Sequence, residues 1–439
     1  MSPPKVLAAS STELSYTFAS PPLSTPKLTF SSTETSTSLA HAADLLRQNR
    51  LVAFPTETVY GLGGSALSTE ACQKIFRAKG RPSDNPLIVH VSSLEMVHSL
   101  VPSDSLHPIH VALMERFWPG PLTIVFAVPS SASSSTSSSG IQEVSPLVRG
   151  GLKNHSIALR MPSHPLALAL IHLSNLPLAA PSANKSGRPS TTRAEHVVTD
   201  YSQGVTDQLV DAVLDGGPCG VGVESTVVDV HPSSSSFDPQ GAGTSTPKRM
   251  WDVRVLRAGG VGVEDLRSCF SERNLLGVDG GVREVTVFGK EESGGTDESE
   301  VEEMRRNPRT PGMKYRHYAP DHSRVIAFRT SPLSIKSEER VRRLFDHVPN
   351  GRERKKATFL LLRSSPLLPL PPSLTSKSQV EARVFEDVSH LSRELYESLR
   401  SLDGKVDYIY VEEVPSVGVG LAVMERVLKA SGERDVIEI

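Results

Sequence analysis

Residues 54–91 read FPTETVYGLGGSALSTEACQKIFRAKGRPSDNPLIVHV. Hydroxyls, cations, an amide and an imidazole sit between apolar runs, with glycines and prolines at the turns. Buried polar groups need partners, so an ordinary core would not set this many of them against strands. Chemistry is therefore expected here. Leu51–Phe54 reads as a short buried strand, PTETVYGLGG as a turn, and Thr69–Lys79 as a helix. Cys72, Ile75, Phe76 and Lys79 share one face of that helix, and Gly80 closes it. Leu87–Val91 reads as the next strand, with Leu87, Val89 and Val91 on one face and Ile88 and His90 on the other.

Upstream, Leu39, Ala42, Ala43 and Leu46 recur at helical spacing. Downstream, strands are expected at Thr123–Val128, Ser156–Arg160, Pro177–Ala180, Ser225–Val230 and Val253–Arg257, with a helix at Pro165–Leu173. This alternation gives an α/β domain with a mixed, twisted sheet over residues 38–260. Residues 1–37 are rich in Ser, Thr and Pro and contain no Arg, and read as a disordered tail without a presequence pattern. Ser130–Ser139, Pro232–Lys248 and Glu291–Arg309 are of low complexity and read as surface insertions and part of a linker. That linker is assigned to 261–322. A smaller α/β domain with a parallel sheet follows over 323–439, with strands at Arg324–Phe328, Thr358–Leu362 and Asp407–Val411 and helices at Val388–Arg400 and Leu421–Ala430. Gly418-Val419-Gly420 lacks the third small residue of a dinucleotide turn and reads as ordinary helix entry.

The formal net charge of −2 supplies no global attraction to nucleic acid or anionic membrane, so a basic site must be local. The three cysteines, Cys72, Cys219 and Cys269, are far apart and make no zinc or disulfide pattern. No apolar run reaches the ~20 residues that cross a bilayer. The expected location is the cytoplasm, with a mitochondrial pool left open.

Lys79-Gly80-Arg81-Pro82 with Asn85 places two cations and an amide on a proline-stiffened turn, which suits a polyphosphate or carboxylate; a solvated basic loop is the plainer alternative. Ala180-Pro181-Ser182-Ala183-Asn184-Lys185-Ser186-Gly187-Arg188-Pro189-Ser190 follows an apolar strand and can turn backbone amides toward an anion, or be a plain surface loop. His90 reads as either a core histidine or a ligand contact. Thr56, Glu57 and Thr58 precede Tyr60-Gly61-Leu62-Gly63, and the hydroxyls among them read as either turn caps or holders of a small polar ligand. Thr123, Arg160, Ser225 and Arg257 complete the set, each arginine also readable as a strand-end charge. No P-loop, HExxH, EF-hand or GxSxG sequence is present.

Seven segments together resemble the threonylcarbamoyl-adenylate synthases, in the longer form with an extra C-terminal domain. They are PTETVYGLG at 55–63, KGRPSDNPLIVH at 79–90, WPGPLT at 118–123, APSANKSGRPS at 180–190, ESTVVD at 224–229, LRAGG at 256–260 and PGMKYRHYAP at 311–320. The resemblance implies a YrdC-like twisted mixed sheet with a large concave cavity, plus a smaller Rossmann-like C-terminal α/β domain. It implies synthesis of threonylcarbamoyl-AMP and pyrophosphate from L-threonine, bicarbonate and ATP, the first step of threonylcarbamoyladenosine modification of ANN-decoding tRNAs. Thr56, His90, Arg160, the backbone at Ala180, and Ser225 then stand as threonine contacts. Lys79, Arg81, Asn85, Thr123, Ser182, Asn184, Ser190, Arg257 and Tyr318 stand as ATP contacts, with Lys79 and Arg81 as the catalytic pair. Magnesium (Mg2+) would arrive with ATP rather than on protein ligands. The product would pass to a separate tRNA threonylcarbamoyl-transferase complex, without stable tRNA binding by this chain. Lys314–Pro320 is expected to act as a lid. An RNA-binding module and a carbamoyl-transfer enzyme on the same fold are the rival readings.

Overall fold

The computed structural model describes residues 3–18, 23–128, 141–151, 155–202, 209–233, 250–278, 280–288, 308–309, 317–330, 339–340, 343–344, 356–370, 380–432 and 436–439. It divides into two compact units. The first comprises Met1–Lys185, Thr191–Gly220 and Glu224–Lys314; the second comprises Ser186–Ser190, Val221–Val223 and Tyr315–Ile439.

The strands of the first unit are β1 (Lys5–Ala8), β2 (Leu14–Phe18), β3 (Pro26–Phe30), β4 (Leu51–Phe54), β5 (Gly61–Ser65), β6 (Val89–His90), β7 (Leu122–Ala127), β8 (Ser156–Arg160), β9 (Leu178–Ala179), β10 (Val210–Asp215), β11 (Thr226–Pro232), β12 (Trp251–Arg257) and β13 (Val282–Val287). Eleven of them form one mixed sheet in the order β1-β10-β4-β5-β9-β6-β8-β7-β11-β12-β13, and β2 and β3 pair separately as an antiparallel hairpin. Its helices include α1 (Thr33–Arg47), α2 (Thr69–Lys79), α3 (Leu94–His98), α4 (Pro108–Phe117), α5 (Pro165–Ser174), α6 (Ala194–Ser202) and α7 (Val263–Glu272). Helix α2 starts and stops on local signals: the Ser68 hydroxyl accepts from the Ala71 amide, and Gly80 ends the helix at φ 63°.

Three expectations are corrected. Residues 1–37 are not a disordered tail: β1 pairs in parallel with β10, and Leu7 and Leu14 join Leu39, Ala42 and Leu46 in one core cluster. Ser and Thr dilute the average hydrophobicity of this segment, yet Thr suits strands, and LSYTF and PKLTF carry period-2 alternation. Residues 261–322 are not a plain linker either. Helix α7 buries Leu266, Cys269 and Phe270 on one face, and β13 adds a strand to the sheet beside β12. The turn expected at 55–64 is shorter than read, because GLGGS forms β5. Its glycines make room rather than a bend: a Cβ on Gly63 would stand 2.7 Å from Cε1 of Phe54. Most of each low-complexity insertion falls outside the described residues.

The second unit contains β14 (Arg324–Arg329), β15 (Ala357–Leu362), β16 (Val380–Phe385), β17 (Tyr408–Glu412) and β18 (Ile437–Glu438), with helices α8 (Val388–Leu402) and α9 (Val419–Ser431). The five strands run parallel in the order β16-β15-β17-β14-β18, as expected of a small α/β domain. Phe328, Phe359 and Tyr410 lie at its centre. Among the described residues, no helix is long and apolar enough to cross a membrane.

Leu7→Ala and Leu14→Ala are each expected to lower stability by about 2–5 kcal/mol, the usual range for truncating a buried leucine to alanine. A shift of the urea midpoint at unchanged slope reads this out. Unchanged midpoints would return residues 1–31 to the status of a dispensable tail.

Candidate functional site

One end of the central sheet gathers five of the expected site residues: His90, Thr123, Arg160, Ser225 and Arg257. Strands β6 and β8 are parallel, and His90 faces Arg160 in register. Strand β7 runs antiparallel to β8, β11 parallel to β7, and β12 antiparallel to β11. The carboxyl ends of β6, β8 and β12 therefore meet the amino ends of β7 and β11. Val227 is the register partner of both Thr123 and Arg257, which places those two in one row. The Thr123 and Ser225 hydroxyls lie 2.8 Å apart. Arg257 donates to the Ser225 carbonyl from Nε (3.1 Å) and Nη2 (2.9 Å), and to its hydroxyl from Nη2 (3.1 Å).

Arg160 is the electrostatic centre of this end. Its Nε donates to the Gly120 carbonyl at 3.2 Å and its Nη1 to the Thr58 hydroxyl at 2.9 Å. Its Nη2 meets Oε1 of Glu57 at 2.6 Å, and the two side chains are only 4% and 13% exposed. The second oxygen of Glu57 accepts from the Ser163 amide at 3.1 Å. Glu57 was not among the expected site residues. It stood inside PTETV as one more polar residue, and nothing in spacing pairs it with an arginine 103 positions away.

The phosphate candidates form a second group. The buried Lys79, at the end of α2, donates its ammonium to the carbonyls of Ser182 and Asn184. Arg81 donates to the Asn85 carbonyl from Nε (3.4 Å) and Nη2 (3.3 Å), and from Nη2 to Pro86 at 2.9 Å. The acceptors named here are all neutral backbone carbonyls. The Ser182 hydroxyl donates to Oδ1 of Asn184, whose Nδ2 donates to the Lys185 carbonyl at 2.7 Å. The two groups share the turn after β4: Leu62 donates to Pro181, Ala183 to Tyr60, and Tyr60 to Thr191, each at 2.8 Å. Ala180 is held alongside, its amide donating to the Ile88 carbonyl at 3.0 Å.

Thr56, expected either as a turn cap or as a threonine contact, bonds within its own turn. Its Oγ1 donates to the Val59 carbonyl at 2.6 Å and accepts from the amides of Thr58 and Val59 at 3.2 Å. One donor and two lone pairs are then in use, and the turn-cap reading describes this hydroxyl. Ser190 and Tyr318 belong to the second unit. There Ser190 is fully buried, and its carbonyl accepts from Nε of Arg400 at 3.1 Å. The Tyr318 ring is buried and stacks on Tyr396 with centroids 5.5 Å apart. Lys314–Arg316, the first part of the expected lid, lies outside the described residues.

Residues 44–237 match the family model described as Telomere recombination, which groups Sua5, YciO and YrdC proteins. Residues 261–432 match the model described as Threonylcarbamoyl-AMP synthase, C-terminal domain. The threonylcarbamoyl-AMP synthase of Bacillus subtilis is 39% identical over 402 residues, covering 90% of this chain and 93% of that protein. The chain belongs to the threonylcarbamoyl-AMP synthase family. A member from Schizosaccharomyces pombe is 37% identical, over 91% of this chain and 89% of its own length. The structure of Pyrococcus abyssi Sua5 complexed with L-threonine superposes with a TM-score of 0.65 at 34% identity, covering 92% of this chain and 96% of that one. Both units of this synthase therefore have counterparts in its relatives, and the resemblance carried by the seven segments holds.

His90 has its imidazole buried, edge-on to Phe54 at 6.2 Å between centroids. Its Nδ1 has no hydrogen-bond partner among the described residues. Burial, and then the charge of Arg160, push its pKa down from 6.5 to about 3. The ring is thus neutral at physiological pH. A base with a depressed folded pKa contributes stability that is complete above pH 6.5 and is lost as pH falls from there toward 3, because the unfolded chain takes up the proton first. The imidazole nitrogen shifts of His90 should accordingly stay flat in NMR spectra recorded from pH 8 down to about 5. A midpoint near 6 would place the ring in water.

Proposed function

We propose that this synthase condenses L-threonine, bicarbonate and ATP into threonylcarbamoyl-AMP and pyrophosphate, supplying the first step of threonylcarbamoyladenosine formation in tRNA. The observation that carries this reading is the agreement of family and geometry. The residues that the resemblance assigns to threonine (His90, Arg160, Ser225) meet at one end of one sheet, and the phosphate loop of Lys79, Arg81 and Asn85 joins them through a shared turn.

The chemistry needs orientation and charge more than a nucleophilic side chain. The amine of threonine, once deprotonated, forms the carbamate with bicarbonate as water leaves. A carbamate oxygen then attacks the α-phosphate, and pyrophosphate departs. Arg160 is suited to the threonine carboxylate, and the Ala180 carbonyl, Ser225 and a neutral His90 to its polar atoms. Arg81 and Arg257 supply positive charge to the triphosphate, with Asn85, Thr123, Ser182 and Asn184 as neutral partners. Lys79 acts on the same loop by holding its carbonyls in place. Magnesium enters with the nucleotide, and the adenylate passes to a transferase that acts on tRNA.

Purified protein mixed with threonine, bicarbonate and ATP-magnesium should release pyrophosphate and form an acid-labile adenylate. Turnover that does not depend on threonine would refute the assignment. Within that assay, Arg81→Ala is expected to cost about 2–4 kcal/mol in kcat/KM for ATP, the range seen when a preorganised charge-stabilising donor is removed. A folded Arg81→Ala protein with parental kcat/KM would move the triphosphate elsewhere.

A further inference from the structure

Among the described residues the buried Glu57–Arg160 pair is incompletely satisfied. A guanidinium has five N–H donors and a carboxylate about four lone-pair sites. Arg160 uses three donors, on Gly120, Thr58 and Glu57. Glu57 accepts two hydrogen bonds, from Arg160 and from the Ser163 amide. Among the described residues each ion therefore keeps hydrogen-bonding capacity, and the two are in direct contact. Withdrawing such a pair from water is expensive, and an apolar pair of equal volume often serves stability as well. Stability alone is a poor reason to place it at the end of β8.

An α-amino acid zwitterion has matching chemistry with the charges reversed. Its ammonium nitrogen and carboxylate carbon are about 2.5 Å apart, from the N–Cα and Cα–C bond lengths and the angle between them. We infer that Glu57 and Arg160 form a zwitterion clamp: Arg160 takes the α-carboxylate of the amino acid, and Glu57 takes its α-ammonium. Glu57 is then a specificity-determining residue, the one that distinguishes an amino acid from the hydroxy acid of the same shape. The clamp also keeps the site near neutrality with a neutral zwitterion bound, whereas Arg160 without Glu57 would accept any small carboxylate. The inference rests on the reading of threonine as substrate with its carboxylate on Arg160. It adds a partner for the amine, held in position until it reacts.

The test is calorimetric binding near pH 7 of L-threonine and of its analogue with hydroxyl in place of the amine, 2,3-dihydroxybutanoate of the same configuration. Parent protein and Glu57→Gln are compared. The parent is expected to bind threonine at least ten-fold more tightly than the hydroxy acid. Glu57→Gln should lose ten-fold or more for threonine while binding the hydroxy acid as well as the parent does, or better. Equal loss for both ligands would show that Glu57 only props Arg160, and would overturn the clamp. So would a parent that binds the two ligands equally, a result that needs no variant to fold. A parent that binds no threonine at all would instead remove the functional reading, and the clamp with it.

Discussion

A guanidinium taken out of water has to be met by acceptors, and Arg160 is met from two separate segments. The Gly120 carbonyl comes from the loop before β7, and Thr58 and Glu57 come from the turn after β4, while Arg160 itself ends β8. One buried cation thus ties together elements far apart in sequence, because losing any of these three acceptors would cost more than a typical hydrogen bond contributes. The turn it organises is also tied to the 181–191 loop by three backbone hydrogen bonds. The loop, in turn, is where Lys79 delivers its ammonium. Charge at the centre therefore sets backbone geometry at the periphery.

Much of this arrangement could be read from the chain alone. The bounds of α2 were legible to the residue, Ser156–Arg160 likewise, and the parallel sheet of the second unit followed from alternating strands and helices. These elements carry strong local signals: a capping serine, a closing glycine, an apolar run of the right length. The misreadings arose where composition and conformation part company. GLGGS is poor strand material by propensity, and becomes a strand because neighbours on both sides need a backbone with nothing attached. The first thirty residues look solvated on average, but a few leucines at the right positions suffice to anchor them. Residues 263–287 were hidden by their position between two motifs rather than by their pattern.

The site shows a further limit of sequence reading. A motif marks which residues matter, but not whether a side chain faces a ligand or holds the fold that does. Thr56 and Lys79 carry the same polar signature as Arg160, yet Thr56 bonds within its own turn, the Thr58 hydroxyl included, and Lys79 holds carbonyls of the neighbouring loop. Such residues are indistinguishable by type from direct contacts, since both roles ask for hydroxyls and cations in a polar loop. Only the partner list separates them, and partners such as Glu57 and Arg160 lie a hundred positions apart.

The bare backbone of Gly63 has a consequence for how this chain can drift in sequence. The Phe54 ring fills the volume that a side chain at 63 would take, and the same ring meets His90 edge-on. An alanine at 63 could be admitted only if the ring withdrew, which would unseat the imidazole, or if residue 54 shrank at the same time. Positions 54, 63 and 90 therefore form an epistatic trio: exchanges forbidden singly become open in company. A small residue at 54 would be the permissive step, and the histidine would set how far the other two could travel.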